Sequence, residues 1–166
     1  AGGITYERKT VNTTIGAFDE NTRKAILYAK TMAEQGCAIV CFQEMTIPGY
    51  PTEDLSQWPG FIRGQYEALT TFVRETSSLP TLYAIGLTIA HRGHLYNCLA
   101  ITHRGKVRGF VPKEKLPTYG IFYEQRTFSA WNPGTVEETE DGIPIGDLVF
   151  KTPCGIIAFE ICEDIW

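Results

Sequence analysis

The chain lacks long apolar segments and clusters of positive charge. Its apolar runs all fall well short of the ~20 consecutive residues that a membrane-spanning helix needs, and no signal peptide is recognisable at its start. The 15 Lys and Arg residues are dispersed and outnumbered by 19 acidic residues, which leaves a net charge of −4 at pH 7. This balance disfavours binding to nucleic acid or to an anionic membrane surface. We therefore expect neither a nucleic-acid partner nor a membrane partner.

Cysteine is sparse and odd in number, which disfavours a disulfide framework. Most of the five cysteines lie within apolar runs, at Cys37, Cys41, Cys98, Cys154 and Cys162. Such a pattern favours reduced thiols, and we expect a cytoplasmic location. A zinc motif is also absent: His91, His94, Cys98 and His103 lie close in sequence, but no pair of ligands recurs at zinc spacing. We therefore expect no metal site.

The composition is ordinary for a soluble globular domain, with 43% hydrophobic and 20% charged residues in 166 positions. A first strand is predicted around Thr10–Ile15. Apolar residues at helical spacing then predict a helix that is capped by Asn21 and stopped by Gly36. The apolar run Cys37–Phe42 has the length and β-branched content of a buried strand. This order of elements indicates an α/β fold.

The middle of the chain predicts one more helix and an antiparallel region. Residues 61–78 have a helical apolar face. Residues 82–90, 95–102 and 106–111 then form three predicted strands, joined by short turns that contain glycine. Two successive hairpins after helix–strand units predict a mixed sheet. Residues 146–151 are predicted to form an edge or hairpin strand.

Three chemically active side chains follow predicted buried strands. Glu44 comes after Cys37–Phe42, Lys113 after the third strand of the hairpins, and Cys162 after the apolar run 155–161. Taken singly, a strand-end acid is usually solvent-facing and a free cysteine is usually a small core residue. Together, a thiol nucleophile, a carboxylate base and an ammonium that stabilises an oxyanion fit attack on an amide or nitrile carbon through a thioester.

Three sequence blocks resemble the signature blocks of the nitrilase, or carbon-nitrogen hydrolase, superfamily. They are Phe42–Pro51, Lys113-x-x-Leu116-Pro117 and Ile161-Cys162-Glu163, and they occur in the order that the family has. The longer segments 49–55, 116–122 and 162–166 resemble the family of glutaminase domains found in glutamine-dependent NAD synthetases. The resemblance extends from about Thr14 to the last residue.

The resemblance implies roles for individual residues. Glu44 would be the general base, Lys113 the catalytic lysine and Cys162 the nucleophile. Lys113 is preferred to Lys115 because the family's lysine stands at the spacing that Lys113 has from Leu-Pro. Glu124 matches a second acid that helps to order the site. Tyr119, Phe122 and Glu163 stand at positions where members of the family are expected to contact glutamine.

The resemblance also implies a fold and a set of partners. The expected fold is an α/β, nitrilase-like αββα four-layer sandwich with mixed sheets, of which residues 1–166 would be the N-terminal part of one glutaminase domain. No Ser-Gly-Gly-type pyrophosphate loop of a synthetase domain occurs in these residues. The amidase step would need no cofactor, and ATP and deamido-NAD would matter only to a synthetase domain, in cis or in trans. Family members commonly assemble, so a homo-oligomer is expected.

Three functions remain open from the sequence. The leading hypothesis is a cysteine amidohydrolase that releases ammonia from glutamine for NAD synthesis. The second is a stand-alone amidase, nitrilase or carbamoylase that acts on another small substrate. The third is a catalytically silent assembly module.

Overall fold

A seven-stranded mixed sheet is the centre of the computed structural model, which describes residues 4–120 and 122–166. Its strands are β1 (Tyr6–Lys9), β2 (Ile39–Phe42), β3 (Leu82–His91), β4 (His94–His103), β5 (Lys106–Pro112), β6 (Val136–Glu138) and β7 (Pro144–Gly146). The spatial order is β1-β2-β3-β4-β5-β7-β6. β1, β2 and β3 run parallel, whereas β4 pairs antiparallel with both β3 and β5. The predicted mixed sheet and its two hairpins are therefore confirmed.

Two long helices cover one face of this sheet. They are α1 (Phe18–Glu34) and α2 (Pro59–Glu75). Their apolar stripes, which recur at helical spacing, pack on alternate residues of the central strands. The resulting core contains Ala25, Ala29, Leu69, Phe72, Val40, Tyr83, Ile85, Leu87 and Phe110. Neither helix of the described residues is long and apolar enough to cross a bilayer.

A two-stranded ribbon covers part of the opposite face. It consists of β8 (Val149–Thr152) and β9 (Gly155–Ala158), which pair antiparallel. Phe150 lies in β8 and Phe159 directly follows β9. Both rings pack against a second apolar cluster that contains Ala84, Leu99, Ile101, Val111 and Ile161. The described residues therefore stack as helices, main sheet and ribbon, the layer order of the expected nitrilase-like sandwich.

The start of the chain differs from its prediction. The first strand is Tyr6–Lys9, not Thr10–Ile15. Val11 instead pairs with a side chain: its N–H donates to Gln43 Oε1 at 2.7 Å and its carbonyl accepts from Gln43 Nε2 at 2.6 Å. Asn21 is not the cap of α1, which begins at Phe18. Its buried side-chain amide donates hydrogen bonds to the carbonyl oxygens of Thr14 and Ile47.

Two predictions near the C-terminal end need correction. The hairpin strand predicted at 146–151 exists, but it is β8 (Val149–Thr152), paired with β9, and β7 already ends at Gly146. The strand before Cys162 is short and largely exposed; Ile156, for example, retains 74% of its accessible surface. An apolar run predicts burial, but β9 pairs only with β8 among the described residues and has just one face toward the sheet. The thiol is therefore not delivered by a buried strand.

Candidate active site

Glu44 lies in a tight loop directly after β2, and a glycine on the neighbouring strand makes room for that loop. A Cβ on Gly86 would stand 2.7 Å from both Gln43 O and Glu44 C, and nearer still to Met45 N. The loop continues through Met45, which is buried and adopts φ +54°. Its close approach to β3 depends on the missing side chain. Glu44 lies at the carboxyl end of the sheet strands, and 24% of the surface of its side chain is exposed.

Lys113 follows β5 immediately and is completely buried. Its Nζ lies 3.0 Å from Glu44 Oε2 and 3.1 Å from Glu124 Oε1. Its backbone is held as well, because its N–H donates to the Asn97 carbonyl at 2.8 Å and its carbonyl accepts from the Trp131 N–H at 3.1 Å. An ammonium is tolerated without solvent only when opposite charges and hydrogen bonds compensate it. Two carboxylates provide that compensation here.

The carboxylates decide the protonation state of Lys113. Burial by itself lowers the pKa of Lys113, but the neighbouring charges of Glu44 and Glu124 more than offset this and raise it above its ordinary value. Lys113 is therefore an ammonium at neutral pH. Burial raises the pKa of Glu124, and Lys113 opposes that rise.

Cys162 begins a short 3-10 turn, Cys162–Ile165, in which it adopts φ +52°. The buried side chain of Ile161 anchors the chain just before it. Cys162 and Glu44 line the same cavity, of about 360 Å³. Cys162 is exposed as a residue, but partial removal of its thiol from water raises the pKa of that thiol. Lys113 lowers this pKa, and the carboxylates of Glu44 and Glu163 raise it further. The thiol therefore lies within electrostatic reach of the buried pair.

The structure brings the other predicted residues to the same place. The Tyr119 hydroxyl donates to Glu163 Oε1. The ring of Phe122 lies between two tyrosine rings, 6.0 Å from that of Tyr119 and 6.3 Å from that of Tyr50. All seven predicted site residues, Glu44, Lys113, Cys162, Glu124, Tyr119, Phe122 and Glu163, thus gather around the carboxyl ends of β2 and β5 and the turn after β9. Lys115, by contrast, is exposed.

Three further residues of this region were missed by sequence reasoning. The Asn97 side chain is buried on β4 and donates from Nδ2 to Glu44 Oε2 at 3.4 Å. The Tyr50 hydroxyl donates to Glu124 Oε1 at 3.3 Å. The Asp164 carboxylate accepts backbone N–H groups just beyond Lys113. An amide inside the apolar run 95–101 was a usable signal for Asn97, whereas nothing in the sequence indicated which partners Tyr50 and Asp164 would find.

The histidines have separate partners. His91 Nε2 lies 2.7 Å from Glu137 Oε2, His94 contacts the Ser129 hydroxyl, and His103 contacts the Pro80 carbonyl. Cys98 is buried in the helix-side core. Within residues 4–120 and 122–166, no three or more His, Cys, Asp or Glu side chains are grouped closely enough to hold a metal ion.

Comparison with known proteins identifies the family and the fold. A family model for carbon-nitrogen hydrolases matches residues 10–166. The glutamine-dependent NAD(+) synthetase of Mycobacterium tuberculosis (strain ATCC 25618 / H37Rv) is 33% identical in an alignment 166 positions long, which covers 95% of this chain and 24% of that protein. The chain thus spans about a quarter of the length of the curated relatives it matches.

Solved structures give the same result for the fold. The crystal structure of a glutamine-dependent NAD(+) synthetase from Cytophaga hutchinsonii superposes with a TM-score of 0.91 at 27% identity, over 97% of this chain and 28% of that one. The NitN amidase from Neterenkonia sp. AN1 shares the fold, with a TM-score of 0.65 at 15% identity over 95% of this chain and 57% of that one. With its nitrilase-like layers and the family match over nearly all its residues, the chain belongs to the carbon-nitrogen hydrolase family.

Proposed function

We propose that this chain hydrolyses the side-chain amide of glutamine to glutamate and ammonia, with Cys162 as the nucleophile. The observation that carries the proposal is the 3.0 Å ion pair between the buried Lys113 and the partly exposed Glu44, beside a cavity that Glu44 and Cys162 line together. A base and a thiol that line one cavity, with a cation paired to the base, are the groups that acyl transfer from an amide requires.

In the proposed first half-reaction, Glu44 takes the thiol proton as the sulfur attacks the amide carbon. The raised pKa of Cys162 fits this role for Glu44, because a thiol that is protonated at neutral pH needs a base at the moment of attack. Lys113 stabilises the oxyanion of the tetrahedral intermediate. The carbon–nitrogen bond then breaks, Glu44 gives its proton to the leaving nitrogen, and ammonia departs from a thioester.

The second half-reaction uses the same groups in the opposite order. Glu44 takes a proton from water, whose oxygen attacks the thioester carbon. The carbon–sulfur bond breaks and Cys162 regains a proton from Glu44, so that glutamate is released. Among the described residues the contacts of Glu44 with Lys113 and Asn97 both use Oε2, which leaves Oε1 for proton transfer. Glu124 holds Lys113 from its other side.

Glutamine is the preferred substrate for two reasons. The similar proteins from M. tuberculosis and C. hutchinsonii are named glutamine-dependent synthetases. In addition, Tyr119, Phe122 and Glu163 combine aromatic surface with a carboxylate beside Cys162, and a carboxylate suits the α-ammonium group of an amino acid.

The ammonia has a proposed destination. We assign it to ATP-dependent NAD synthesis from deamido-NAD on a synthetase domain, present in cis or in trans, with assembly of several copies of the chain. The amidase step itself uses no cofactor in this scheme. All five cysteines are free, which supports the cytoplasmic location proposed for the reaction.

The proposal is tested by measuring ammonia release from the intact protein with glutamine, asparagine, simple amides, nitriles and carbamoyl compounds. Glutamine should be hydrolysed fastest, and Cys162→Ala should abolish release while thermal unfolding is little changed. Faster release from another substrate would instead indicate a stand-alone amidase, nitrilase or carbamoylase. If no substrate yields ammonia and a glutamine-like electrophile leaves Cys162 unlabelled, the chain is an assembly module and the proposal is wrong.

A further inference from the structure

The turn that carries Cys162 has little packing of its own to hold it in place. It is only four residues long, none of them is buried, and no side chain caps its start. Cys162 lies in the left-handed region of backbone space at φ +52°. A residue with a side chain adopts that conformation only where its surroundings impose it. Contacts with another element must therefore determine where the thiol lies.

Asp164 makes such contacts. Its Oδ1 accepts the Glu114 N–H at 3.1 Å and the Lys115 N–H at 2.7 Å, and its Oδ2 lies 3.2 Å from the Glu114 nitrogen. Both N–H groups lie beyond the end of β5 at Pro112, so the strand ladder no longer uses them. Backbone amides bind a carboxylate more strongly than a neutral acceptor. The Asp164 side chain thus joins the Cys162 turn to the two residues directly after Lys113, in addition to the contact of Glu163 with the more distant Tyr119 hydroxyl.

This connection is short on both sides. Asp164 stands two residues after Cys162, and Glu114 directly follows Lys113. The Lys113 peptide is itself fixed to the strand carbonyl of Asn97. Because few bonds separate the two groups, a displacement of the Asp164 carboxylate would move the Cys162 thiol. Lys113 would stay in place, since its N–H remains bonded to the Asn97 carbonyl. We propose that Asp164 is a positioning residue whose carboxylate, bound to the Glu114 and Lys115 amides, sets the distance between the Cys162 thiol and the Lys113 ammonium.

The catalytic consequence of this inference rests on the proposed amidase function, but the geometric part does not. Sub-ångström placement of a nucleophile relative to an oxyanion donor strongly affects turnover, because a misplacement of 1 Å can cost on the order of a hundredfold. The separation of the thiol from Lys113 also controls how strongly the ammonium favours the thiolate. The second effect is measurable without any substrate.

The first experiment measures the pH dependence of Cys162 alkylation by iodoacetamide in the intact protein, followed on the peptide that contains Cys162. Asp164→Ala should shift the midpoint upward, because the thiolate loses the nearby ammonium. Removal of a negative charge without any displacement would shift the midpoint downward, so the sign separates the two explanations. Asp164→Asn, which keeps one acceptor oxygen, should lie between Asp164→Ala and the wild type, and it serves if the alanine variant does not fold. An unchanged or lowered midpoint in both variants would overturn the inference.

The second experiment measures turnover per active site, with the sites counted by titration with a glutamine-like electrophile so that unfolded protein is excluded. In Asp164→Ala, kcat for glutamine should fall about tenfold or more while KM changes by about twofold or less. Glu20→Gln removes an exposed carboxylate of α1 that pairs with Lys24 and should match the wild type. A normal kcat per titrated site would show that Asp164 affects only folding and would overturn the inference.

The two experiments separate this inference from the proposed function. If the wild type releases no ammonia from glutamine but the alkylation midpoint rises in Asp164→Ala, the glutaminase proposal fails and the positioning role stands. If the wild type is active and the midpoint does not rise, the opposite holds. In a Lys113→Ala background, Asp164→Ala should shift the midpoint little further, because the two changes remove one interaction.

Discussion

Lys113 shows how a single buried charge can organise a site. Its ammonium is compensated by Glu44 and Glu124, and its backbone bonds fix the strand end from which it projects. Lys115 is only two residues away, yet it is exposed. Its contact with Asp164 is made by its backbone N–H and not by its ammonium group. The two lysines therefore make a matched pair for mutation.

Lys113→Ala should lower kcat for ammonia release by about a hundredfold or more, the usual scale for losing an oxyanion donor. Lys115→Ala should change it by less than about threefold, as a substitution of an exposed side chain generally does. Steady-state kinetics on both variants checks this, with circular dichroism to confirm folding. If removal of the Lys113 charge unfolds the protein, Lys113→Arg keeps a cation and should be folded but slow. Greater sensitivity at Lys115 would contradict the assignment.

The thiol of Cys162 should titrate above the ordinary range for cysteine, whose reference pKa is about 8.5. Partial removal of the thiol from water raises the pKa of Cys162, and the lowering by Lys113 only partly opposes this. The rate of alkylation should therefore still be rising with pH above the reference value. Lys113→Ala should shift the midpoint higher, because the group that lowers the pKa is gone. A midpoint below that of a free cysteine would contradict this prediction.

At the scale of secondary-structure elements, the approach of the Gln43–Met45 loop to β3 determines where Glu44 lies. Gly86 is the residue that permits this approach, since an added Cβ would overlap backbone atoms and not a movable side chain. Gly86→Ala should destabilise the protein by about 1–3 kcal/mol, the typical cost of overpacking. It should also reduce ammonia release, because the loop that carries Glu44 must move away from Lys113. Chemical denaturation and kinetics measure the two effects.

Gly60→Ala is the matched control for that substitution. Gly60 lies in the first turn of α2 and does not have a positive φ. A Cβ added at this position would have no other atom within 4 Å. Alanine in a helix is favoured over glycine by about 0.5–1 kcal/mol. We therefore expect unchanged activity and equal or slightly higher stability. Equal behaviour of the two variants would show that the approach to β3 does not matter.

At the scale of the whole molecule, burial is unevenly distributed among the layers. β3 and β4 are buried along most of their length, whereas β8 and β9 have mainly exposed or half-buried residues. Amide hydrogen exchange should therefore be slowest in β3 and β4 and much faster in β8 and β9, since local opening costs least where few apolar contacts are lost. Peptide-resolved mass spectrometry measures this directly. Equal protection of both regions in the intact protein would mean that a further layer covers the ribbon.

Local sequence patterns were sufficient to predict many of the helices and strands of this molecule. Helical periodicity located α1 and α2, glycine-containing turns located the hairpins of β3, β4 and β5, and apolar runs located β2. The chemical types of Glu44, Lys113 and Cys162, each placed after a predicted strand, led to the hypothesis of acyl transfer from an amide. These features follow from interactions between residues that are close in sequence, or from the chemistry of single side chains.

Which distant groups meet depends on the three-dimensional fold. Glu44 and Lys113 are 69 positions apart, and Asp164 lies 50 positions from Glu114, so no periodicity relates them. The exposure of β9 and the true start of α1 were mispredicted because burial and capping depend on neighbours from elsewhere in the chain. Residue types and local order are encoded by adjacent side chains, but the ion pairs of Lys113 and the contact of Asp164 with the Glu114 and Lys115 amides exist only because the fold brings remote segments together.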